Sequence, residues 1–202
     1  MTKIKICGLS RPCDIEYVSE AKPDFCGFII NVPKSKRNVS PDTVRQLVKN
    51  LSPDVKPVGV FVNAPMDEIA ALTEDGTLAY VQLHGKEDEA YIAALRERIH
   101  VPIIQAFKVT CPEDVAHAQQ SSADYILLDN GSGGTGKTFD WSHLRDITRP
   151  YILAGGLGPD NLGLAVSQLA PWGVDLSSGV ETDGFKDKNK VLAAVQAVRA
   201  TL

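Results

Sequence analysis

Short apolar runs recur along the chain, and the stretches between them carry apolar residues at the spacing of one helix face. The runs are a few residues long and rich in Val and Ile, which is typical of parallel strands buried on both faces. They predict eight strands, over residues 3–9, 25–30, 57–62, 80–85, 102–109, 125–130, 151–157 and 173–180.

The stretches between the strands predict helices. Ser40-Pro41 has the pattern of an N-cap followed by proline at the first helical position. Clear helical patterns cover residues 40–51, 63–72, 87–99, 112–120, 161–169 and 189–202, and a short one lies near 140–147.

Strand and helix units that alternate in this way predict an α/β protein with a single (β/α)₈ TIM-barrel domain over residues 1–202. The alternative is an open doubly wound sheet, which ordinarily has a phosphate loop after its first strand. Gly8-Leu9-Ser10-Arg11 matches neither a P-loop nor the dinucleotide fingerprint, and this favours the barrel. Barrel active sites lie at the carboxyl ends of the strands, so polar residues there are the candidates for function.

Composition and charge exclude several classes of function. The net charge is −4, and no Lys/Arg stripe suggests nucleic-acid binding. No apolar stretch is long enough to span a membrane, and the N-terminus lacks a signal-peptide profile. The four cysteines are scattered without the spacing of a zinc site or disulfide framework, which predicts a cytoplasmic protein without metal.

Cys7 lies near the carboxyl end of the first predicted strand. Strand alternation places Lys3, Lys5 and Cys7 inside the barrel, and Ile4 and Ile6 under the helices. A thiol can act as a base once a nearby charge stabilises its thiolate, and Lys5 could supply that charge. The alternatives are a structural cysteine and a lysine that pairs with an acid of the barrel.

Asp129 lies at the carboxyl end of the sixth predicted strand, one residue before its last, and shares its inner face with Tyr125 and Leu127. A partly desolvated carboxyl group at this position can act as a general acid, although a loop-bracing aspartate is an alternative. Asp175 in the last strand is interpreted as a buried acid, either a partner of Lys5 or a brace, and not as a proton donor.

Two loops of small residues follow the last two strands. Gly155-Gly156 and Ser177-Ser178-Gly179 stand where barrels commonly bind phosphate through backbone N–H groups, although ordinary turns are an alternative. Residues 131–136 form a further glycine-rich loop, and 133–138 resemble half of a Walker A motif without its spacing. We interpret this loop as a lid that excludes water.

Two further residues are candidate substrate contacts. His84 shares the inner face of the fourth strand with Gln82, and its alternative role is a histidine satisfied within a polar barrel mouth. Arg37 ends the only basic cluster, Lys34-Ser35-Lys36-Arg37, and could clamp a carboxylate, although such clusters are often simply solvated.

These motifs occur in the order seen in one enzyme family. The chain resembles the phosphoribosylanthranilate isomerases of tryptophan biosynthesis over nearly its whole length. The segments that carry the resemblance are Lys5-Ile6-Cys7-Gly8, Gly27-Phe28, Lys34-Ser35-Lys36-Arg37, Val58-Gly59-Val60-Phe61-Val62, Gln82-Leu83-His84-Gly85, Leu127-Leu128-Asp129, residues 134–141, Gly155-Gly156-Leu157 and residues 175–181.

The resemblance implies an Amadori rearrangement of N-(5-phosphoribosyl)anthranilate, a small phosphosugar, by a monomer or homodimer without metal or organic cofactor. It implies that Asp129 is the general acid and Cys7 the general base. It further implies that Arg37 lies near the anthranilate carboxylate and that the loops at 155–156 and 177–179 hold the phosphate.

Two other functions stay open from the sequence. The related isomerase of histidine biosynthesis performs the same rearrangement on a two-phosphate substrate, but it uses aspartates in both roles, so Cys7 argues against it. A barrel that binds a sugar phosphate without catalysis is the other, and the presence of both Cys7 and Asp129 argues against that.

Overall fold

The computed structural model of this chain describes residues 1–130 and 140–200. Its strands are β1 (Lys3–Cys7), β2 (Phe25–Ile30), β3 (Asn38–Val39), β4 (Lys56–Phe61), β5 (Tyr80–Leu83), β6 (Ile103–Lys108), β7 (Tyr125–Asp129), β8 (Tyr151–Leu153), β9 (Gly173–Leu176), β10 (Glu181–Thr182) and β11 (Phe185–Lys186). Its α-helices are α1 (Pro12–Ala21), α2 (Pro41–Val48), α3 (Met66–Glu74), α4 (Glu89–Arg96), α5 (Pro112–Ala118), α6 (Pro159–Leu169) and α7 (Lys188–Ala200).

The long strands form a closed parallel ring in the order β1-β9-β8-β7-β6-β5-β4-β2, and β2 pairs with β1 to complete it. The predicted (β/α)₈ barrel is therefore confirmed, and the open-sheet alternative is excluded. A 3₁₀ helix, Trp141–Leu144, follows β7 where the sequence predicted a short helix.

Three short strands were not predicted. β3 pairs in parallel with the last two residues of β2, Ile29 and Ile30, and β10 and β11 form a separate antiparallel hairpin. Each has only two residues, which is too few for a two-residue hydrophobic period to be recognised.

Two strands end four residues earlier than predicted. β8 stops at Leu153 instead of 157, and positive φ angles at Gly155 (88°) and Gly156 (66°) turn the chain there. β9 stops at Leu176 instead of 180, and a 3₁₀ helix over Ser178–Val180 follows it. Both loops consequently begin deeper at the mouth of the barrel than the sequence indicated.

The core has two layers, as the alternation of side chains requires. The larger layer lies between strands and helices and includes Ile4 and Ile6 of β1, as predicted. The smaller lies inside the ring, and its fully buried members are Phe25, Val58, Ile104, Leu127, Ile152 and Ala154.

Aromatic rings close the amino-terminal end of the barrel. The Phe25 and Tyr80 rings meet edge to face with centroids 5.0 Å apart, and the Tyr125 and Trp172 rings lie 4.4 Å apart. Three of these residues begin β2, β5 and β7, and the tryptophan precedes β9. The ring interior therefore opens toward the carboxyl ends of the strands.

An ion pair lies inside the ring above this aromatic floor. Lys5 Nζ donates to Asp175 Oδ2 at 2.9 Å, and the two side chains are only 2% and 9% exposed. Burial lowers the pKa of Lys5, but the charges and hydrogen bonds of Asp175 and Cys7 together outweigh burial and raise it. The predicted pairing of Lys5 with a barrel acid is thus present.

We expect Lys5→Met to lower the free energy of unfolding by about 3–5 kcal/mol, because it leaves the Asp175 carboxylate buried and unpaired. Lys3→Met is the matched control. Lys3 stands two residues earlier on β1, is 43% exposed and pairs with Asp24, so its loss should cost about 0–1 kcal/mol. Urea unfolding of both variants measures this, and equal losses would contradict a special role for the inner pair.

Candidate active site

A cavity of about 750 Å³ opens at the carboxyl ends of the strands, within the size range of small-molecule sites. Its lining includes every predicted site residue except Gly179: Cys7, Arg37, His84, Asp129, Gly155, Gly156, Ser177 and Ser178. The structure therefore brings together residues that are as far as 171 positions apart in the chain.

Cys7 is the last residue of β1 and is almost fully buried. It stands opposite Gly27 of β2, where an added Cβ would lie only 2.7 Å from Cys7 Sγ, so a glycine makes room for the thiol. Burial raises the pKa of Cys7, and the nearby Lys5 ammonium lowers it without overcoming that effect. The resting group is consequently a thiol whose thiolate is accessible mainly at higher pH.

Asp129 is the last residue of β7, and its half-buried side chain faces the same cavity. An added Cβ at Gly155 would lie 2.6 Å from Asp129 Oδ1, which shows why the second residue after β8 is a glycine. Two strands, β9 and β8, separate β7 from β1 on the shorter way around the ring. The thiol and the carboxyl group therefore reach the cavity from two different sides.

His84 lies next to this carboxyl group. Its Nε2 is 3.8 Å from Asp129 Oδ2, and its Nδ1 is 2.9 Å from the amide Nε2 of Gln82. An amide nitrogen can only donate, so Nδ1 accepts and the ring proton is assigned to Nε2, on the side of Asp129. The His84 side chain is 38% exposed, and its partial burial lowers its pKa despite the nearby Asp129, which favours the neutral ring.

Arg37 lies at the cavity wall, bound to a carboxylate of its own chain. Its Nε and Nη2 donate to Glu181 Oε1 and Oε2, each at 2.6 Å. The stem of Arg37 crosses Gly8, whose φ is +84° and where an added Cβ would lie 2.4 Å from Arg37 Cδ. The arginine is thus oriented before any ligand arrives.

The two predicted phosphate loops lie side by side. Ser177 Oγ donates to the carbonyl of Cys7 at 3.1 Å, which ties the loop after β9 to the end of β1. Gly179 does not line the cavity but packs on the loop after β8. An added Cβ there would lie 1.9 Å from the Leu157 carbonyl oxygen, so glycine permits the close approach of the two backbones.

The loop predicted as a lid, with its Gly131–Gly136 segment and Walker-like residues, lies outside the described residues. Over residues 1–130 and 140–200, no group of His, Cys, Asp and Glu side chains is arranged to hold a metal ion. In the same part of the chain, no helix is long and apolar enough to cross a membrane.

Three residues of the site went unassigned in the sequence analysis. Gln82 is 1% exposed and lines the cavity, and Glu181 and Lys186 form a buried ion pair behind Arg37. The alternation of the fourth predicted strand places Gln82 on the inner face beside His84, but it indicates no role for the amide. No local pattern distinguishes Lys186 from a solvated loop lysine.

A closed parallel barrel with a thiol and a carboxyl group over one cavity defines a (β/α)₈ enzyme of the acid–base type. Residues 4–197 match the family model described as N-(5'phosphoribosyl)anthranilate (PRA) isomerase. The chain belongs to this isomerase family.

Individual relatives agree with this membership. The chain is 45% identical to an N-(5'-phosphoribosyl)anthranilate isomerase of Endomicrobium trichonymphae, over 99% of this chain and 100% of the relative. It is similar to the crystal structure of phosphoribosyl anthranilate isomerase from Thermotoga maritima, with 37% identity, a TM-score of 0.88, and coverage of 99% and 100%.

A further solved structure carries a ligand. It is a phosphoribosyl anthranilate isomerase in complex with reduced 1-(o-carboxyphenylamino)-1-deoxyribulose 5-phosphate, and it shares 36% identity with this chain. The TM-score is 0.86, and the match covers 99% of this chain and 100% of that one. The predicted family and function are therefore confirmed: the chain is an isomerase of tryptophan biosynthesis.

Proposed function

We propose that Cys7 and Asp129 perform the two proton transfers that convert N-(5'-phosphoribosyl)anthranilate into 1-(2-carboxyphenylamino)-1-deoxyribulose 5-phosphate. The observation that supports this most strongly is that the two side chains end different strands and line one cavity. An acid and a base that approach a sugar from two sides can act on two different atoms of it.

The sequence of steps follows from the chemistry of the substrate. Asp129 gives a proton to the furanose ring oxygen, the bond from C1 to that oxygen breaks, and an iminium forms at C1. The iminium acidifies the C2 proton, which the Cys7 thiolate removes to leave an enolamine. Tautomerisation of the enolamine gives the ketone, and each positioned proton transfer contributes about 10²–10⁴-fold in rate.

His84 fits this scheme as a substrate-binding neighbour of the acid. A protonated imidazole beside Asp129 would stabilise the carboxylate, and so would leave less of the protonated form that can give a proton to the substrate. The neutral ring that burial favours avoids this effect, and its Nε2 proton faces the carboxyl group. The amide of Gln82 holds the ring in that tautomer.

The two anionic ends of the substrate have separate places in this proposal. Arg37 binds the anthranilate carboxylate, and the loops with Gly155, Gly156, Ser177, Ser178 and Gly179 hold the phosphate. Backbone N–H groups at glycine-rich turns suit phosphate oxygens, and a guanidinium suits a planar carboxylate.

Turnover of freshly generated N-(5'-phosphoribosyl)anthranilate, followed as loss of substrate fluorescence, tests the function directly. A barrel that only binds sugar phosphates would retain phosphate affinity without this loss. An enzyme of the histidine-pathway type would instead turn over the larger two-phosphate substrate, and preference for that substrate would contradict the proposal.

The pH profile tests the base. The thiolate is the active form, and burial raises the pKa of Cys7 above its usual value of about 8.5. We therefore expect the rate at which iodoacetamide alkylates Cys7 to rise about tenfold per pH unit from neutrality and not to level off below about pH 8.5, because only the thiolate reacts. Mass spectrometry of the peptide that contains Cys7, after reaction at pH values from about 6 to about 9, measures this, and a plateau that begins near neutrality would contradict it.

Truncation of Arg37 tests the carboxylate site. We expect Arg37→Met to raise KM by about 10–100-fold with little change in kcat, because a charged hydrogen bond to the substrate is lost in ground and transition states alike. Arg45→Met is the control, since Arg45 pairs with Asp42 and Asp75 on the surface. An unchanged KM in the Arg37 variant would place this arginine outside the binding site.

The assembly and compartment also belong to this proposal. We expect a monomer or homodimer in the reducing cytoplasm. The four free cysteines, Cys7, Cys13, Cys26 and Cys111, support the compartment. A solved structure that is 36% identical to this chain shows monomers generated from the dimeric phosphoribosylanthranilate isomerase of Thermotoga maritima, and that dimeric parent supports the second assembly state. Light scattering of the purified protein distinguishes the two states.

A further inference from the structure

A buried lysine stands behind the arginine of the cavity wall. The side chain of Lys186 is 1% exposed, and its Nζ donates to Glu181 Oε1 at 2.5 Å and to the Ser177 carbonyl at 3.0 Å. It does not line the cavity, whereas Arg37 and Glu181 do. Burial of an ammonium is costly, so this placement requires an explanation.

The hairpin of β10 and β11 holds this lysine in place. Glu181 and Lys186 are directly opposite each other in the antiparallel register. Arg11 Nη2 donates to the Lys186 carbonyl at 2.9 Å, and the Arg11 guanidinium lies 4.6 Å from the centroid of the Phe185 ring. The hairpin therefore holds the Lys186 ammonium beside the Glu181 carboxylate.

The charges of the three side chains show what the lysine contributes. Arg37 and Glu181 alone form a neutral bidentate pair, which offers an incoming anion little attraction. Burial by itself would raise the pKa of Glu181, but the hydrogen bonds from Arg37 and Lys186 hold it below its usual range, so the group is ionised. Two cations and one carboxylate leave one positive charge for a ligand.

We propose that Lys186 is a positioning residue that balances the charge of Glu181, so that Glu181 orients Arg37 without cancelling its attraction for the carboxylate of the substrate. This inference rests on the proposed function, in which Arg37 binds that carboxylate. Lys186 acts through its two neighbours and touches no substrate atom.

Calorimetric titration of Lys186→Met with reduced 1-(o-carboxyphenylamino)-1-deoxyribulose 5-phosphate tests the inference. We expect Kd to rise about 30-fold or more, and KM to rise by a larger factor than kcat falls, since the Lys186 ammonium also lowers the pKa of Cys7. The same ligand without its benzoate carboxylate should bind the wild type and the variant equally. Lys188→Met is the control. Lys188 is two residues from Lys186 and carries the same charge, but it forms an exposed ion pair with Glu20.

A double variant separates charge from packing and covers the case in which Lys186→Met does not fold. Lys186→Met with Glu181→Gln removes both buried charges and again leaves one positive charge, on Arg37. We expect it to bind the carboxylate ligand much more tightly than Lys186→Met, or close to wild type if the single variant is unfolded. Weak binding by a folded double variant would overturn the inference.

The outcomes also separate this inference from the function on which it depends. If the wild type fails to bind the reduced ligand, the proposed function is wrong. If the wild type binds it and Lys186→Met binds it equally well, the function stands and the role of Lys186 is wrong.

Discussion

The Cys7→Ala variant is expected to lose about 10²–10⁴-fold in kcat while its fold stays intact, because the base that removes the C2 proton is gone. The thiol sits at the open end of β1 against Gly27, so its removal empties little of the core. Steady-state kinetics with the fluorescent substrate measure the loss, and circular dichroism checks the fold.

Cys26→Ala is the matched control for this experiment. Cys26 is the neighbouring buried thiol, on β2, but its side chain belongs to the layer between the strands and the helices. Its loss should lower stability and leave kcat nearly unchanged. A Cys7→Ala enzyme that turns over at a rate close to the wild type would remove the thiol from the mechanism.

The Asp129→Asn variant is expected to lose a similar factor, about 10²–10⁴-fold in kcat. Asparagine has nearly the same shape, but it has no acidic proton to give to the ring oxygen. The contacts of this side chain with His84 and Gly155 depend on its shape, so substrate binding should change much less than kcat. Comparison of kcat with KM measures this difference.

Asp124→Asn serves as the control at the opposite end of the same strand. Asp124 precedes β7, accepts a hydrogen bond from the Ile103 N–H at 2.8 Å and pairs with Arg96. It lies away from the cavity, so its neutralisation should alter stability alone. If Asp129→Asn keeps the wild-type rate, another group supplies the proton to the ring oxygen.

The barrel could be predicted because its strands carry their pattern locally. In β1, the alternation of Lys5 and Cys7 with Ile4 and Ile6 indicates which side chains face inward and which pack under helices. A parallel strand that is buried on both faces is otherwise apolar. Polar residues near its carboxyl end therefore indicate a functional site. The same reasoning located Asp129 and His84.

The electrostatic surroundings of the site could not be predicted in this way. Arg37 and Glu181 are 144 positions apart, and their contact depends on a hairpin with two-residue strands. The state of Cys7 also depends on a balance: burial raises the pKa of the thiol and Lys5 lowers it, and no sequence pattern indicates which effect is larger. The ion pairs around Arg37 and the pKa of Cys7 depend on distances that only the folded barrel fixes.

The position of β1 in the ring has a consequence for how activity arises. β1 is held on one flank by β2 and on the other by β9, so the thiol near the start of the chain is framed by residues 173–176 near its end. Neither half of the polypeptide contains a complete catalytic pocket. Regain of turnover during refolding, or on mixing of complementary fragments, would therefore report the pairing of β1 with β9.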